Sequence, residues 1–325
     1  MVVDDDLIPE TRTVDKPESG IEFEPFPQYI LRMSGGHQLG LCLIAMMTTL
    51  LELVPIELQR RIIDTAIENQ NVSALATFGI AYAGVLLLHQ LTKFLFRLYQ
   101  AWIAESTMKN TRRRLIEIHS TNAENPEQNG GSAVSVIGAE IEGIGTFVGE
   151  HISDASANAM MLLGASAYML YVEPQLAVYA LLFFIPQIVL TPFMQRLLNR
   201  LIEIRVELLR KLGNSLTDTE LSGNGSQTIT GKIYSNRIRY ALVKYAMKSL
   251  INLLNSLGPL TVVLYGGYLA VHGETTAGII VAFLSGFQRM SGPVRGLITF
   301  YRLAAQTNVQ HQKVEQWIEQ RKTNA

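Results

Sequence analysis

Residues 174–212 read PQLAVYALLFFIPQIVLTPFMQRLLNRLIEIRVELLRKL and join two different patterns. The part from 174 to 195 contains no Asp, Glu, Lys or Arg, and a helix that crosses a bilayer needs about 20 apolar residues. The part from 196 to 212 mixes charged residues with apolar residues at three-to-four spacing, which predicts an amphipathic helix. The stretch therefore predicts a membrane span that continues as a helix beyond the bilayer.

Comparable apolar windows recur along the chain. They predict six spans, at about 36–56, 72–95, 153–172, 175–195, 249–272 and 275–297. The last is the weakest by hydropathy, because its charge-free stretch is short and ends at Arg289. The composition agrees, since 48% of the residues are hydrophobic and only 17% are charged, against about 25% charged in soluble domains. We predict an all-α membrane protein.

The distribution of positive charge predicts the topology. Of the 27 Lys and Arg, only Arg60 and Arg61 fall in the loop after the first span. If both termini are cytoplasmic, the other 25 lie on the cytoplasmic side or on helices that extend into it. Cytoplasmic segments of membrane proteins are usually enriched in Lys and Arg. We therefore predict a multi-pass protein of the plasma membrane with both ends inside. The net charge of -1 argues against a nucleic-acid partner.

The two ends of the chain differ from the rest. Residues 1–25 are acidic and contain proline, which predicts a disordered tail, and residues 321–325 form a short C-terminal tail. Residues 26–35 hold Phe26, Tyr29 and Met33 beside Arg32, and they fit a short helix in the membrane interface. A plain linker fits this segment equally well.

Two internal segments are too long to be simple loops. A helix from 74 to 118 would be about 67 Å long, more than twice the thickness of the hydrocarbon core, and a helix from about 175 to 212 would also exceed it. Pro and Gly predict breaks at 122–132 and at 213–231. The result is two helical hairpins whose tips lie far from the membrane. These tips either dock a partner, which we favour, or only turn the chain.

Two stretches look superficially like nucleotide-binding motifs. GSQTITGKI (225–233) has five residues between its glycines instead of four, and Ile233 stands where a phosphate loop needs Ser or Thr. LSGNGSQ (221–227) resembles the signature sequence of ATP-binding cassettes only with broken spacing. The sequence therefore predicts no catalytic, cofactor-binding or metal-binding residues in this chain, and leaves its part in an enzymatic reaction uncertain.

Ionisable residues within spans are candidates for function. Glu52 is close to Pro55, which predicts a position at the outer end of the first span. His89 precedes Lys93 by one turn and is expected near the inner end of the second span, where the two would extend toward water. Arg289 either extends to the inner boundary or lines a cavity. His89 and Arg289 are the candidates for a cavity or pathway.

Four stretches together resemble the type-1 transmembrane domain of ATP-binding cassette (ABC) exporters over nearly all of residues 26–320. They are LLELVPIELQRRIIDTAI (50–67), GGSAVSVIGAEIEGIGTFVGEHI (130–152), VEPQLAVYALLFFIPQIVL (172–190) and GGYLAVHGETTAGIIVAFLSGFQRMSGPVRGLITFYRLAAQTNVQHQKVEQWIE (266–319). The last is the most specific, and the order and spacing of all four carry the resemblance.

The resemblance implies six long helices per half, usually in a homodimer or heterodimer. It also implies that the two tips are coupling helices that contact a nucleotide-binding subunit, where ATP and Mg²⁺ bind. By position the contact residues would be Asn125, Pro126, Glu127, Gln128, Asp218, Glu220, Leu221, Ser222 and Gly223.

The family normally continues into a nucleotide-binding domain, whereas this sequence stops at Ala325. A separate subunit, a fragment or a loss of ATP coupling would each explain that difference. The expected function is therefore the membrane subunit of an ABC exporter, which moves an amphiphilic, lipid-like or peptide-like substrate by alternating access. The alternative is a membrane scaffold or regulatory subunit that retains the fold and does not transport.

Overall fold

The computed structural model describes residues 25–67, 70–121, 136–217 and 224–323, and regular structure in these ranges is entirely helical. The α-helices are α1 (Phe26–Ser34), α2 (Gly36–Arg61), α3 (Val72–Thr121), α4 (Ile141–Thr146), α5 (Ile152–Val172), α6 (Pro174–Leu181), α7 (Phe184–Thr217), α8 (Asn224–Val271) and α9 (Ala277–Thr323). Three π-helical segments, Ile62–Ile67, Val136–Glu140 and Phe147–His151, continue or connect them.

Five helical stretches are long and apolar enough to cross a membrane, which confirms the predicted all-α membrane fold. They are Gly36–Ile67, Val72–Ile118, Ile141–Val172, Pro174–Gly213 and Gln227–Val271. The predicted span 275–297 lies in α9 apart from its first two residues and does not reach the hydropathy of the other five, so it stays a prediction. α9 continues to Thr323, and the tail predicted from residue 321 therefore begins inside a helix.

Three helices are much longer than a bilayer is thick. α3 has 50 residues, α8 has 48 and α9 has 47, which correspond to about 70–75 Å each. Residues 93–119 contain no Pro or Gly to break α3. The prediction of a helix over 74–118 is confirmed.

Proline affects these helices differently from the sequence-based expectation. α2 runs through Pro55 to Arg61 and continues as a π-helix to Ile67, so Pro55 does not end the first helix. The helix predicted over 175–212 is instead interrupted at Leu182 and Phe183, between α6 and α7. The interruption precedes Pro186, whose ring would clash with the carbonyl of residue 182 in a continuous helix.

The second predicted break is shorter than expected. α7 continues to Thr217 and α8 begins at Asn224, so most of 213–231 is helical and the predicted break there was wrong at both ends. Glycine lowers helix stability by only about 1 kcal/mol, which long neighbouring helices outweigh. The stretch Gly225–Ile233 therefore lies in a helix.

The chain divides into two compact units, Met1–Ala165 with Gly292–Ala325, and Ser166–Ser291. In the first unit, α1 buries Phe26, Tyr29 and Met33. Tyr29 shares a 2.6 Å hydrogen bond with Thr111 of α3, and the Phe26 and Phe147 rings pack 5.5 Å apart. The segment is thus a helix, and its apolar face contacts the protein.

Small residues allow close helix contact in the first unit. A methyl group at Gly149 would approach the Ala104 amide nitrogen to 2.6 Å and the Gln100 carbonyl oxygen to 2.7 Å. The backbone of the segment Phe147–His151 therefore lies directly against α3. Gly145 lies against Met108 in the same way, as small residues at close helix contacts do.

In the second unit, α7 and α8 pack along each other. Gln187 is buried, and its side-chain amide donates a 2.9 Å hydrogen bond to the Asn255 amide oxygen. Gly258 lies against the Phe287 ring, which in turn packs 4.5 Å from Phe184. A polar pair and a ring cluster thus hold this unit together.

Candidate polar cavity of the first unit

A carboxylate and an imidazole meet between α2 and α3. Glu52 Oε2 lies 3.9 Å from His89 Nε2, and His89 is buried. The sequence placed Glu52 at the outer end of one span and His89 near the inner end of the next. The observed distance puts the two residues at the same level, so the two placements cannot both be correct. The reason is that α2 does not end at Pro55, which leaves Glu52 well inside the helix.

A second polar group links α3 to α5 in the same unit. Arg97 Nη1 donates hydrogen bonds of 3.1 and 3.0 Å to the two carboxylate oxygens of Asp154. The buried Gln100 side chain also donates to Asp154, at 2.9 Å, and to Ser153 Oγ, at 2.8 Å. Asp154 is therefore neutralised by a cation and held by an amide.

A cavity of about 350 Å³ lies between these two groups. Polar side chains from three helices line it, and they are Thr48, Thr49, Glu52, His89, Lys93, Arg97, Asp154 and Asn158. Ala45, Phe96 and Ala157 complete the lining. Its charge-bearing groups include both signs, so the cavity suits a ligand with a polar or charged group rather than a purely apolar one.

An aromatic cluster gives a reference level along α3. His37 Nδ1 and the Tyr99 hydroxyl are 2.7 Å apart, and the Tyr99 ring stacks on Trp102 at 5.7 Å. Aromatic clusters of this kind are typical of membrane–water interfaces. Measured from Tyr99, Lys93 lies about 9 Å and His89 about 15 Å along the helix axis. The distance from Tyr99 to His89 is half the thickness of a hydrocarbon core, which is about 30 Å.

Of the predicted cavity residues, His89 lines this cavity and Arg289 does not. Arg289 belongs to the second unit, where α9 holds it half-buried. The predicted contact residues of the two tips lie outside the described residues. They are Asn125, Pro126, Glu127, Gln128, Asp218, Glu220, Leu221, Ser222 and Gly223.

Sequence reasoning missed Lys93, Arg97, Asp154 and Asn158 as cavity residues. The spacing of His89, Lys93 and Arg97 at four-residue intervals was the available signal, because such residues share one face of a helix. Asp154 and Asn158 are four residues apart in the same way. No pattern in the sequence showed that these two faces would meet.

A buried polar cluster also lies in the first unit, beyond the aromatic cluster along α3. His311 of α9 packs 5.2 Å from the Phe26 ring and 5.3 Å from the Tyr29 ring. Burial lowers the pKa of His311 to about 4 and raises the pKa of Tyr29 to about 12. Both side chains are therefore uncharged near neutral pH, as their apolar surroundings require.

Comparison with known proteins agrees with the fold. The family profile described as ABC transporter transmembrane region matches residues 39–219, which is more than half of the chain. No curated protein matches the chain by sequence. The matched range includes α3, the cavity and both predicted tips up to residue 219. The chain is thus a multi-pass membrane protein and belongs to the ABC transporter transmembrane region family.

Proposed function

We propose that the chain is the membrane-spanning subunit of an ABC-type exporter. It would move an amphiphilic, lipid-like or peptide-like substrate out of the cytoplasm by alternating access, driven by ATP hydrolysis in a separate nucleotide-binding subunit. ATP and Mg²⁺ would bind that partner subunit. Membership in the ABC transmembrane family supports a role in ABC transport. The export direction rests on the resemblance of the sequence to ABC exporters.

The length of the helices carries this proposal. α3 and α8 are each more than twice as long as the bilayer core, so a large part of each lies in water. α3 ends before the segment that holds Asn125 to Gln128, and α8 begins after the segment that holds Asp218 to Gly223. Rigid helices of this length transmit a displacement at the tips to the spans.

The remaining parts of the assembly are proposals of the same kind. We expect a second transmembrane half, as a homodimer or a heterodimer, since the exporter fold forms its pathway between two halves. We expect the protein in the plasma membrane with both termini in the cytoplasm, because the distribution of positive charges favours that orientation. Native mass spectrometry of nanodiscs tests the expectation of a second half. A single species with the mass of one chain would count against a second transmembrane half.

The function is tested by co-expression with a nucleotide-binding subunit of the ABC type. We expect a stable complex whose vanadate-sensitive ATPase activity rises when substrate is added. His89→Ala should reduce that stimulation if the cavity lies on the pathway, whereas an exposed control such as Lys248→Ala should not. Binding of the partner without any ATPase response would instead favour a non-transporting scaffold with the same fold.

A further inference from the structure

Lys93 is exposed at the cavity and has no ionic partner there. Within the described ranges its ammonium group makes no hydrogen bond and no ion pair. It nevertheless lies in a helix that is apolar enough to cross a membrane. A cation in such a helix is costly unless it reaches water or meets an anion.

The carboxylates of the cavity are engaged with other groups. Asp154 accepts hydrogen bonds from Arg97 and Gln100, and Glu52 lies beside His89. Neither carboxylate is within ion-pair distance of Lys93. The positive charge of Lys93 therefore favours the binding of a negatively charged ligand in this cavity.

Asn158 of α5 supplies a second open group in the same cavity. Its side chain is half-buried, lines the cavity, and makes no hydrogen bond within the described residues. An amide can donate to an anionic oxygen that also pairs with an ammonium group. Lys93 on α3 and Asn158 on α5 thus present donors to one space from two helices.

The surface of α3 next to Lys93 is apolar. Leu86 lies two turns before Lys93 on the same face of the helix, and Phe94 directly follows Lys93; both are exposed in the described structure. In a membrane this surface faces hydrocarbon, so acyl chains can lie along it. A charged cavity beside an acyl-chain surface suits a molecule that has both parts, and basic sites near the cytoplasmic side of a membrane bind anionic lipid headgroups.

We propose that this cavity binds the anionic headgroup of an amphiphile, through phosphate or carboxylate oxygens. Lys93 forms an ion pair with the headgroup, Asn158 donates a hydrogen bond to it, and the apolar chain lies along Leu86 toward the bilayer centre. This site needs no ATP hydrolysis, and its existence is independent of the proposed export function. If the site is absent, Lys93 simply extends to the aqueous boundary about 9 Å away.

The proposal is tested with the full chain in mixed micelles that contain phosphatidylcholine and increasing amounts of phosphatidylglycerol. Native mass spectrometry counts the bound anionic lipid. We expect Lys93→Gln to weaken phosphatidylglycerol binding about tenfold, the effect of one charge-assisted contact, while Lys93→Arg retains it. The matched control is Lys248→Gln, because Lys248 is also an exposed lysine in a candidate span. It should bind as the wild type does.

Two further measurements separate the alternatives. Asn158→Ala should weaken binding several-fold with little effect on folding, which gives a second readout if Lys93→Gln does not fold. Inorganic phosphate at millimolar concentration should displace little lipid, because it lacks the apolar chain. Equal phosphatidylglycerol binding by the wild type, Lys93→Gln and Asn158→Ala would overturn the site. Efficient displacement by inorganic phosphate would overturn the amphiphile and leave a simple anion site.

Discussion

Glu52 of α2 and His89 of α3 face each other across 3.9 Å, and each lies well inside its helix. A carboxylate and an imidazole at this depth are expensive to bury alone and less expensive as neighbours. The pair is therefore one of the contacts between α2 and α3. Glu52 and His89 also line the cavity that Arg97 and Asp154 line.

The Arg97 and Asp154 contact should contribute measurable coupling between α3 and α5. Asp154→Ala is expected to destabilise the protein more than Arg97→Ala, because Asp154 also accepts a hydrogen bond from the buried Gln100. The pair is partly exposed, so we expect a coupling of about 0.5–1 kcal/mol. A double-mutant cycle of thermal unfolding in detergent measures it. Fully additive effects would show that the ion pair contributes nothing.

Gly149 should tolerate no larger residue. Gly149→Ala would place a methyl group against the backbone of Ala104 and Gln100. A change of side-chain rotamer cannot relieve this clash, because the atoms it meets belong to the backbone. We expect a loss of about 1–3 kcal/mol in the free energy of unfolding. Gly267→Ala is the control, because a methyl group there meets nothing within 4 Å in the described structure. Similar melting temperatures for the two variants would contradict the close packing of α3.

His311 should make stability depend on pH. Its pKa is lowered to about 4 in the folded protein, against about 6.5 in the unfolded chain, so the unfolded chain binds more protons between these values. Stability should therefore fall as pH drops from 6.5 toward 4. His311→Gln should flatten this part of the unfolding curve. An unchanged pH dependence in that variant would show that His311 is not buried uncharged.

The topology is open to labelling with an impermeant thiol reagent. In a background with Cys42→Ser, cysteines at Asn71 or Gly273 should react from outside intact cells, because both lie in connections expected on the outer side. Cysteines at Asn129 or Asn224 should react only after the cells are opened. Outside labelling at Asn129 would reverse the predicted orientation.

The fold was predictable where local sequence decides it. The absence of Pro and Gly over 93–119 predicted the long α3, and the apolar windows predicted the five candidate spans. The continuation of α2 through Pro55 was not predictable, because only contact with other helices offsets a missing backbone hydrogen bond. The same holds for the glycines of 213–231, which sequence rules assign to a turn.

The candidate site was only partly predictable. His89 stood out because an ionisable residue in an apolar window is unusual. Its neighbours come from α2 and α5, and their positions depend on the register between helices, which no local pattern encodes. Asp154 and Asn158 have no unusual sequence context, so nothing distinguished them from surface residues at the end of a span.

The central claim is that the chain couples an ATPase partner to its spans through the two tips. The most direct measurement compares the wild type with the double variant Glu220→Gly and Leu221→Gly, in complex with the nucleotide-binding subunit. We predict normal membrane insertion and dimerisation, with loss of partner binding and of ATPase activity stimulated by substrate, because coupling requires a contact that both sides share. Unchanged partner binding and unchanged stimulation in the double variant would contradict the account at the second tip.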